Sequence, residues 1–162
     1  QDSPLVCTPP DILTGKLQPT GEVIAVIGSG MTGLETAELL SAPEKDNAVL
    51  VVEAAPRLAP GVYGSNRNAV TAVLDLNNAV CLTSRALTKV GADRIYLTDP
   101  QTGEEYTYPC QRVVLALGTT PTKPYGEELE TVCSRVFSVG DAAKSGMIWD
   151  AVHGGYHAAR EL

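Results

Sequence analysis

The 162 residues carry a net charge of −7, with 44% hydrophobic and 19% charged side chains. That much negative charge excludes a phosphate backbone as partner, so no nucleic acid is expected, and no apolar run reaches the ~18–20 residues that cross a bilayer, so no membrane span is expected. Aromatics make up only 5%, so the core must rest on Val, Leu, Ile and Ala, the composition of buried strands with helices on their faces.

Residues 1–20, rich in Pro, Thr and Gln, read as an extended lead-in. Glu22-Val-Ile-Ala-Val-Ile27 is a nearly unbroken apolar run stopped by Gly28, the pattern of a fully buried strand. Met31 to Ser41 holds good helix formers and is closed by Pro43. Ala48-Val-Leu-Val-Val-Glu53 is a second buried strand, and strand–helix–strand within this span predicts a right-handed βαβ unit with parallel strands. Residues 54–64, with two Pro and two Gly, form a loop. Ser65 to Asn77 predicts a second helix with Val70, Val73 and Leu74 on one side, and Ala79 to Leu82 a third strand. Three short runs follow, Ala86–Val90, Arg94–Thr98 and Glu105–Tyr108, whose alternation predicts an antiparallel meander with one solvated face. Arg112–Leu117 is another buried strand, stopped by Gly118. Residues 119–134 read as a connector, Arg135–Val139 as a last short strand ending in Gly140-Asp141, and residues 147–162 as a helix with Ile148, Val152, Tyr156 and Ala159 at helical spacing.

The four cysteines, Cys7, Cys81, Cys110 and Cys133, form no C-x-x-C pair, which disfavours a thiol–disulfide enzyme and fits incidental thiols in a reducing compartment. Residues 1–10 have neither a basic nor an apolar leader segment, so a cytoplasmic location is expected. The absence of an initiator Met points to trimming or a cut boundary. His153 and His157 have a metal-compatible i,i+4 spacing, but no carboxylate or third ligand accompanies them, so packing is the expected role.

The central motif is Gly28-Ser29-Gly30-Met31-Thr32-Gly33. A lone G-x-G-x-x-G is weak evidence; following a strand and opening a helix, it gains meaning. Gly28 permits the tight turn, Gly30 lets a pyrophosphate approach the backbone, and Gly33 lets helix and strand pack closely. The helix N-terminus offers free N–H groups and a positive dipole end to phosphates. Glu53, twenty residues after Gly33 and at the end of the second strand, can accept hydrogen bonds from ribose hydroxyls and would repel a 2′-phosphate. NAD(H) is therefore expected over its phosphorylated form, although Arg57 lies close enough to blur the preference.

These residues resemble the nicotinamide-binding part of the FAD-dependent pyridine-nucleotide oxidoreductases. More narrowly, they resemble the C-terminal half of the NADH:flavin oxidoreductases of the old-yellow-enzyme-like enoate reductase group. Thr8-Pro-Pro-Asp-Ile-Leu-Thr-Gly-Lys16 resembles the segment joining the FAD and NAD parts. Gly28 to Ala37 matches the NAD fingerprint, and Val113-Val-Leu-Ala-Leu-Gly118 with Pro121 resembles the strand that returns to the FAD part. Val136 to Ala142 resembles the second FAD motif, and His153 to Ala159 the helix after it.

The resemblance implies a Rossmann-type α/β fold: a three-layer parallel sheet with an antiparallel meander, plus a C-terminal strand–helix piece of an FAD-binding domain. The implied organisation is a lead-in over 1–20, an NAD(H)-binding domain over 21–118, a connector over 119–134 and a partial FAD segment over 135–162. By the same resemblance Asp141 bonds the ribityl chain of FAD and Gly140 passes its pyrophosphate, while Asp141 also reads as a turn-capping residue. Glu35 lies near the nicotinamide in several relatives and equally reads as a solvated helix position. The implied partners are NADH and the FAD-binding half, whose first fingerprint lies N-terminal to everything in this sequence. FMN and an iron–sulfur cluster belong to a further barrel. The implied function is to position NADH for hydride transfer to FAD in a larger enzyme, with a structural ADP-binding module as the alternative. Ile148, Trp149, Val152 and Tyr156 are expected to need cover, from the NAD part or from a second copy in a homo-oligomer.

Overall fold

The computed structural model describes residues 3–122 and 125–161. Positions 1, 2, 123, 124 and 162, which fall in the expected lead-in, connector and C-terminal helix, lie outside the described residues. Two compact units divide the chain, Gln1–Leu117 and Gly118–Leu162.

The first unit is built on a five-stranded parallel sheet. Its strands are β1 (Val6–Cys7), β2 (Val23–Ile27), β3 (Ala48–Val52), β4 (Val80–Leu82) and, after the meander, β8 (Arg112–Leu115), in the order β1-β8-β2-β3-β4. The meander is β5 (Ala86–Val90), β6 (Arg94–Thr98) and β7 (Glu105–Pro109), antiparallel throughout. Helices α1 (Pro9–Leu13), α2 (Met31–Leu40) and α3 (Gly64–Leu76) belong to the same unit. The expected α/β fold with its parallel sheet and meander is the fold observed.

The period-2 geometry of β2 explains the layering. Ile24 and Val26 point to one face of the sheet, into a core shared with Leu34, Ala37 and Leu40 of α2 and Val70 and Leu74 of α3. Ala25 and Ile27 point to the other face, against Ile95 and Leu97 of β6. β2 is thus covered on both sides, and each fully buried aliphatic contributes roughly 1.5–3 kcal/mol. Within the meander Ile95 and Leu97 are buried while Arg94 is exposed, which is the single solvated face the alternation predicts. At the far end of the sheet, Arg112 Nε and Nη2 donate to Glu22 Oε2 and Oε1 at 2.8 and 2.9 Å, a paired contact that pins β8 beside β2.

Three local readings differ from the structure. The lead-in is not simply extended: it forms β1, which pairs in parallel with β8 through Val6–Val113 and Cys7–Val114, and then α1. Asp11 accepts hydrogen bonds from the Thr8 N–H and hydroxyl at 2.9 and 2.7 Å, closing the start of α1. The stretch read as a connector contains a further helix, α4 (Gly126–Val132), in keeping with the helix formers Glu128, Leu129 and Glu130. Residues 135–139 do not form a strand, because no other strand of the described residues runs beside them to complete a ladder.

The second unit ends in α5 (Ile148–Arg160), preceded by a short 3₁₀ turn over Gly140–Ala142. Ile148, Trp149, Val152 and Tyr156 on α5 are exposed in this single chain. Trp149 stacks on His153 with ring centroids 4.0 Å apart, and His153 and His157 stand 6.5 Å apart. No helix of the described residues is long and apolar enough to cross a membrane.

Candidate functional site

The chain turns at the carboxyl end of β2. From β2 it crosses to β3 on one side, and β8 returns on the other, so the turn sits where the sheet's connections change direction, the place where open α/β sheets receive ligands. Ile27 is paired with Val52 of β3 and with Leu115 of β8, which holds the turn from both flanks.

Three glycines shape this turn, each for a different reason. Gly28 has φ of 100°, and a Cβ there would stand 2.5 Å from the Ala116 carbonyl oxygen, so it is required by both conformation and crowding. A Cβ on Gly33 would stand 2.1 Å from the Gly28 carbonyl oxygen and 3.1 Å from Ala116 Cβ, which is how α2 comes so close to the strand ends. Gly30 caps α2, is exposed, and a Cβ there would meet nothing within 4 Å. The space over the first turn of α2 is therefore open. The first intrahelical bond runs from Leu34 N–H to Gly30 O at 3.0 Å, so the N–H groups before Leu34 have no acceptor inside the helix. An open cradle edged by such donors fits a pyrophosphate.

The remaining motif residues divide between packing and solvent. Met31 is half-buried and packs on the helix-side core. Thr32 is exposed, and its carbonyl accepts the Thr36 hydroxyl at 2.6 Å. Glu35 is exposed on α2, whose buried positions are Gly33, Leu34, Thr36, Ala37 and Leu40.

Ser29 behaves differently from its neighbours. It is fully buried. Its N–H and hydroxyl both donate to Glu53 Oε2, at 3.0 and 2.6 Å, and its hydroxyl oxygen accepts the Ala59 N–H at 2.7 Å. Glu53 Oε1 accepts the Ala55 N–H at 2.8 Å. Ser29 was expected, with the rest of the motif, to bind the cofactor; its bonds to Glu53 and Ala59 were not expected, and a small hydroxyl between two glycines, with an acid twenty-four residues on, was the available signal.

Burial alone would push the Glu53 carboxyl up. The Ser29 hydroxyl, with the backbone N–H groups of Ala55 and Ser29, outweighs that and holds it below its ordinary value. A carboxyl lowered in the folded state adds stability above its unfolded value of ~4.3, and that stability is lost as pH falls through the folded value. The stability gap between the parent and Glu53→Gln is therefore expected to narrow in melting curves taken from pH 6 down to 3. A gap that widens toward acid would contradict the assignment.

In the second unit, Gly140 has φ of 56°, and a Cβ there would stand 3.0 Å from Ala151 Cβ on α5. Asp141 is exposed, and its Oδ1 accepts the Gly146 N–H at 3.1 Å. Gly118, with φ of 100°, is exposed at the start of this unit. A cavity of about 550 Å³ opens here, lined by Val139, Gly140, Lys144, Gly146 and Asp150 among others. Among the cysteines Cys7 and Cys110 are buried, Cys81 is half-buried and Cys133 exposed, all as free thiols. Burial pushes Cys7, Cys81 and Cys110 up, away from the reactive thiolate form.

A parallel sheet with a glycine turn at its switch point, helices on one face and a meander on the other, defines a Rossmann-type α/β module of the kind found in dinucleotide oxidoreductases. The chain belongs to the pyridine nucleotide-disulphide oxidoreductase family, whose sequence profile matches residues 6–159. This is a flavin-dependent redox family. The chain is 32% identical over 152 residues to a bilirubin reductase of Mediterraneibacter gnavus (strain CC55_001C), covering 93% of this chain and 23% of that protein. It is 29% identical over 157 residues to an NADH oxidase of Thermoanaerobacter brockii, covering 94% of this chain and 23% of that protein. It shares its fold with histamine dehydrogenase from Rhizobium sp. 4-9 at a TM-score of 0.84 and 21% identity, over 100% of this chain and 26% of the other. The chain thus spans about a quarter of the length of each of these proteins.

Proposed function

We propose that the first unit binds NADH and positions its nicotinamide for hydride transfer to an FAD held largely by other parts of a longer enzyme. The observation that carries this reading is the open cradle at Gly30, edged by the unpartnered N–H groups of the α2 first turn, with an ionised Glu53 fixed beside it. The backbone of Gly28, Ser29, Gly30, Met31, Thr32 and Gly33 forms the pyrophosphate turn, and Glu53 faces the adenosine ribose. Glu35 stands toward the nicotinamide end. The cofactor supplies the redox chemistry, and the chain supplies grip, orientation and charge.

In the second unit, Gly118, Gly140 and Asp141 form one wall of the FAD site. Asp141 keeps its second carboxylate oxygen for the ribityl chain, and the positive φ of Gly140 lets the backbone pass the pyrophosphate. The longer enzyme is of the NADH:flavin oxidoreductase, enoate-reductase-like group, with FMN and an iron–sulfur cluster outside this chain. The name of the NADH oxidase relative supports the NADH part of this reading, and that of the bilirubin reductase its redox character.

Calorimetry of this chain with NADH, NADPH and ADP tests it. NADH is expected to bind at least ~10-fold more tightly than NADPH, about 1.4 kcal/mol, and more tightly than ADP. Equal affinity for ADP and NADH would instead mark a structural nucleotide site, since the turn and Glu53 grip only the adenosine diphosphate half.

A further inference from the structure

We propose that Ser29 is the positioning residue that sets the preference for NADH over NADPH, by locking Glu53 and the loop after it into one arrangement. The inference rests on the NADH-binding reading above and names the residue that controls its selectivity.

The geometry is a two-sided clamp. On one side the Ser29 N–H and hydroxyl both donate to Glu53 Oε2, so that oxygen is fully engaged and the carboxylate cannot rotate away. Oε1, which takes the Ala55 N–H, retains the capacity to accept a ribose hydroxyl. On the other side the Ser29 oxygen accepts the N–H of Ala59, a fully buried residue with φ of 46°. An alanine rarely adopts that left-handed backbone unless its surroundings enforce it. The Ser29 contact is one such enforcement, and it fixes the path of residues 54–62. That segment carries Arg57, whose Nη2 donates to the Pro60 carbonyl at 3.3 Å, inside its own loop. A single buried hydroxyl therefore holds a negative charge at the ribose position and keeps the loop's arginine folded on its own backbone. Both effects disfavour a 2′-phosphate.

Without the Ser29 hydroxyl both restraints weaken together. Glu53 loses its shortest hydrogen bond and Ala59 loses its acceptor. The carboxylate becomes free to swing, and Arg57 becomes free to meet a phosphate.

The test compares the parent, Ser29→Ala, Glu53→Gln and the double variant, titrated with NADH and with NADPH. Melting curves confirm folding. Ser29→Cys, of similar size with only a weak donor, stands in if the alanine variant does not fold. The parent's ~10-fold preference is expected to fall in Ser29→Ala to within about twofold of the Glu53→Gln value, and the double variant to add nothing further. Carboxyl-carbon NMR is expected to show Glu53 titrating at higher pH in Ser29→Ala, a readout independent of any nucleotide. A Ser29→Ala chain that keeps the parent's preference while Glu53→Gln loses it would overturn the proposal. So would an unmoved Glu53 titration. A parent that binds neither NADH nor NADPH would remove the nucleotide reading itself, and the selectivity role with it.

Discussion

Gly30→Val is expected to fold like its parent and to lose at least ~100-fold in NADH affinity, about 2.8 kcal/mol. The backbone at Gly30, φ −59° and ψ 168°, is ordinary extended geometry that valine adopts without strain. Its side chain would point into space where an added Cβ meets no atom within 4 Å. The only folding cost is that of a poor capping residue, about 1 kcal/mol at most. The same empty space is the one a pyrophosphate needs to reach the N–H groups of the α2 first turn, and two methyl groups would fill it. Thermal melting should change little while calorimetry with NADH loses its signal. Parent-like NADH binding by the valine variant would mean that the turn is not the phosphate site.

Gly33→Ala is expected to do the reverse, damaging the fold before binding is even at issue. Its new methyl would stand 2.1 Å from the Gly28 carbonyl oxygen, a backbone atom at the end of β2. That strand cannot yield cheaply, because it is laddered to β3 over Val23–Ile27 and to β8 over Ile24–Ile27. The methyl gains up to ~1 kcal/mol from helix propensity, but forcing α2 away from the sheet opens the core around Leu34 and Ala37. Overpacking of this kind costs ~1–3 kcal/mol and more when the backbone is the obstacle. We expect a net loss of at least ~3 kcal/mol, lowering Tm by roughly 6–12 °C for a chain of this size. Calorimetric melting decides it, and a Tm within ~2 °C of the parent would show that α2 has room the structure does not suggest. Two glycines three residues apart thus separate ligand space from packing space.

Much of this arrangement was legible in the residues. The runs at 22–27 and 48–53 and the turn between them carry strong local signals, because a strand buried on both faces needs an unbroken apolar stretch and a close turn needs glycine. The meander was legible through the alternation of Ile95 and Leu97. The lead-in was not, since two residues carry no period and β1 exists only because Val113 and Val114 lie beside it. Thr8, Pro9, Pro10 and Asp11 did hold a helix-start signal, an N-cap hydroxyl, proline at the first turn and an acid three residues on. Residues 135–139 show the converse: a strand-like composition without a neighbour to pair with. The place of Ser29 was legible only in part, because its role depends on Glu53 and Ala59, which the fold alone brings together.

The order of strands also dictates how the unit must be assembled during synthesis. β2, the most buried strand, can pair with β3 once both have emerged, but its other edge has no partner until β8 is made. Translating the interval from Ile27 to Arg112 takes on the order of ten seconds at cellular speeds. Through that time the nascent chain holds a hydrophobic strand with one open edge, the arrangement most prone to capture by another chain. The meander, made entirely of sequence-adjacent pairings, can form meanwhile and lie over Ala25 and Ile27, shielding one face of the unfinished sheet until β8 closes it.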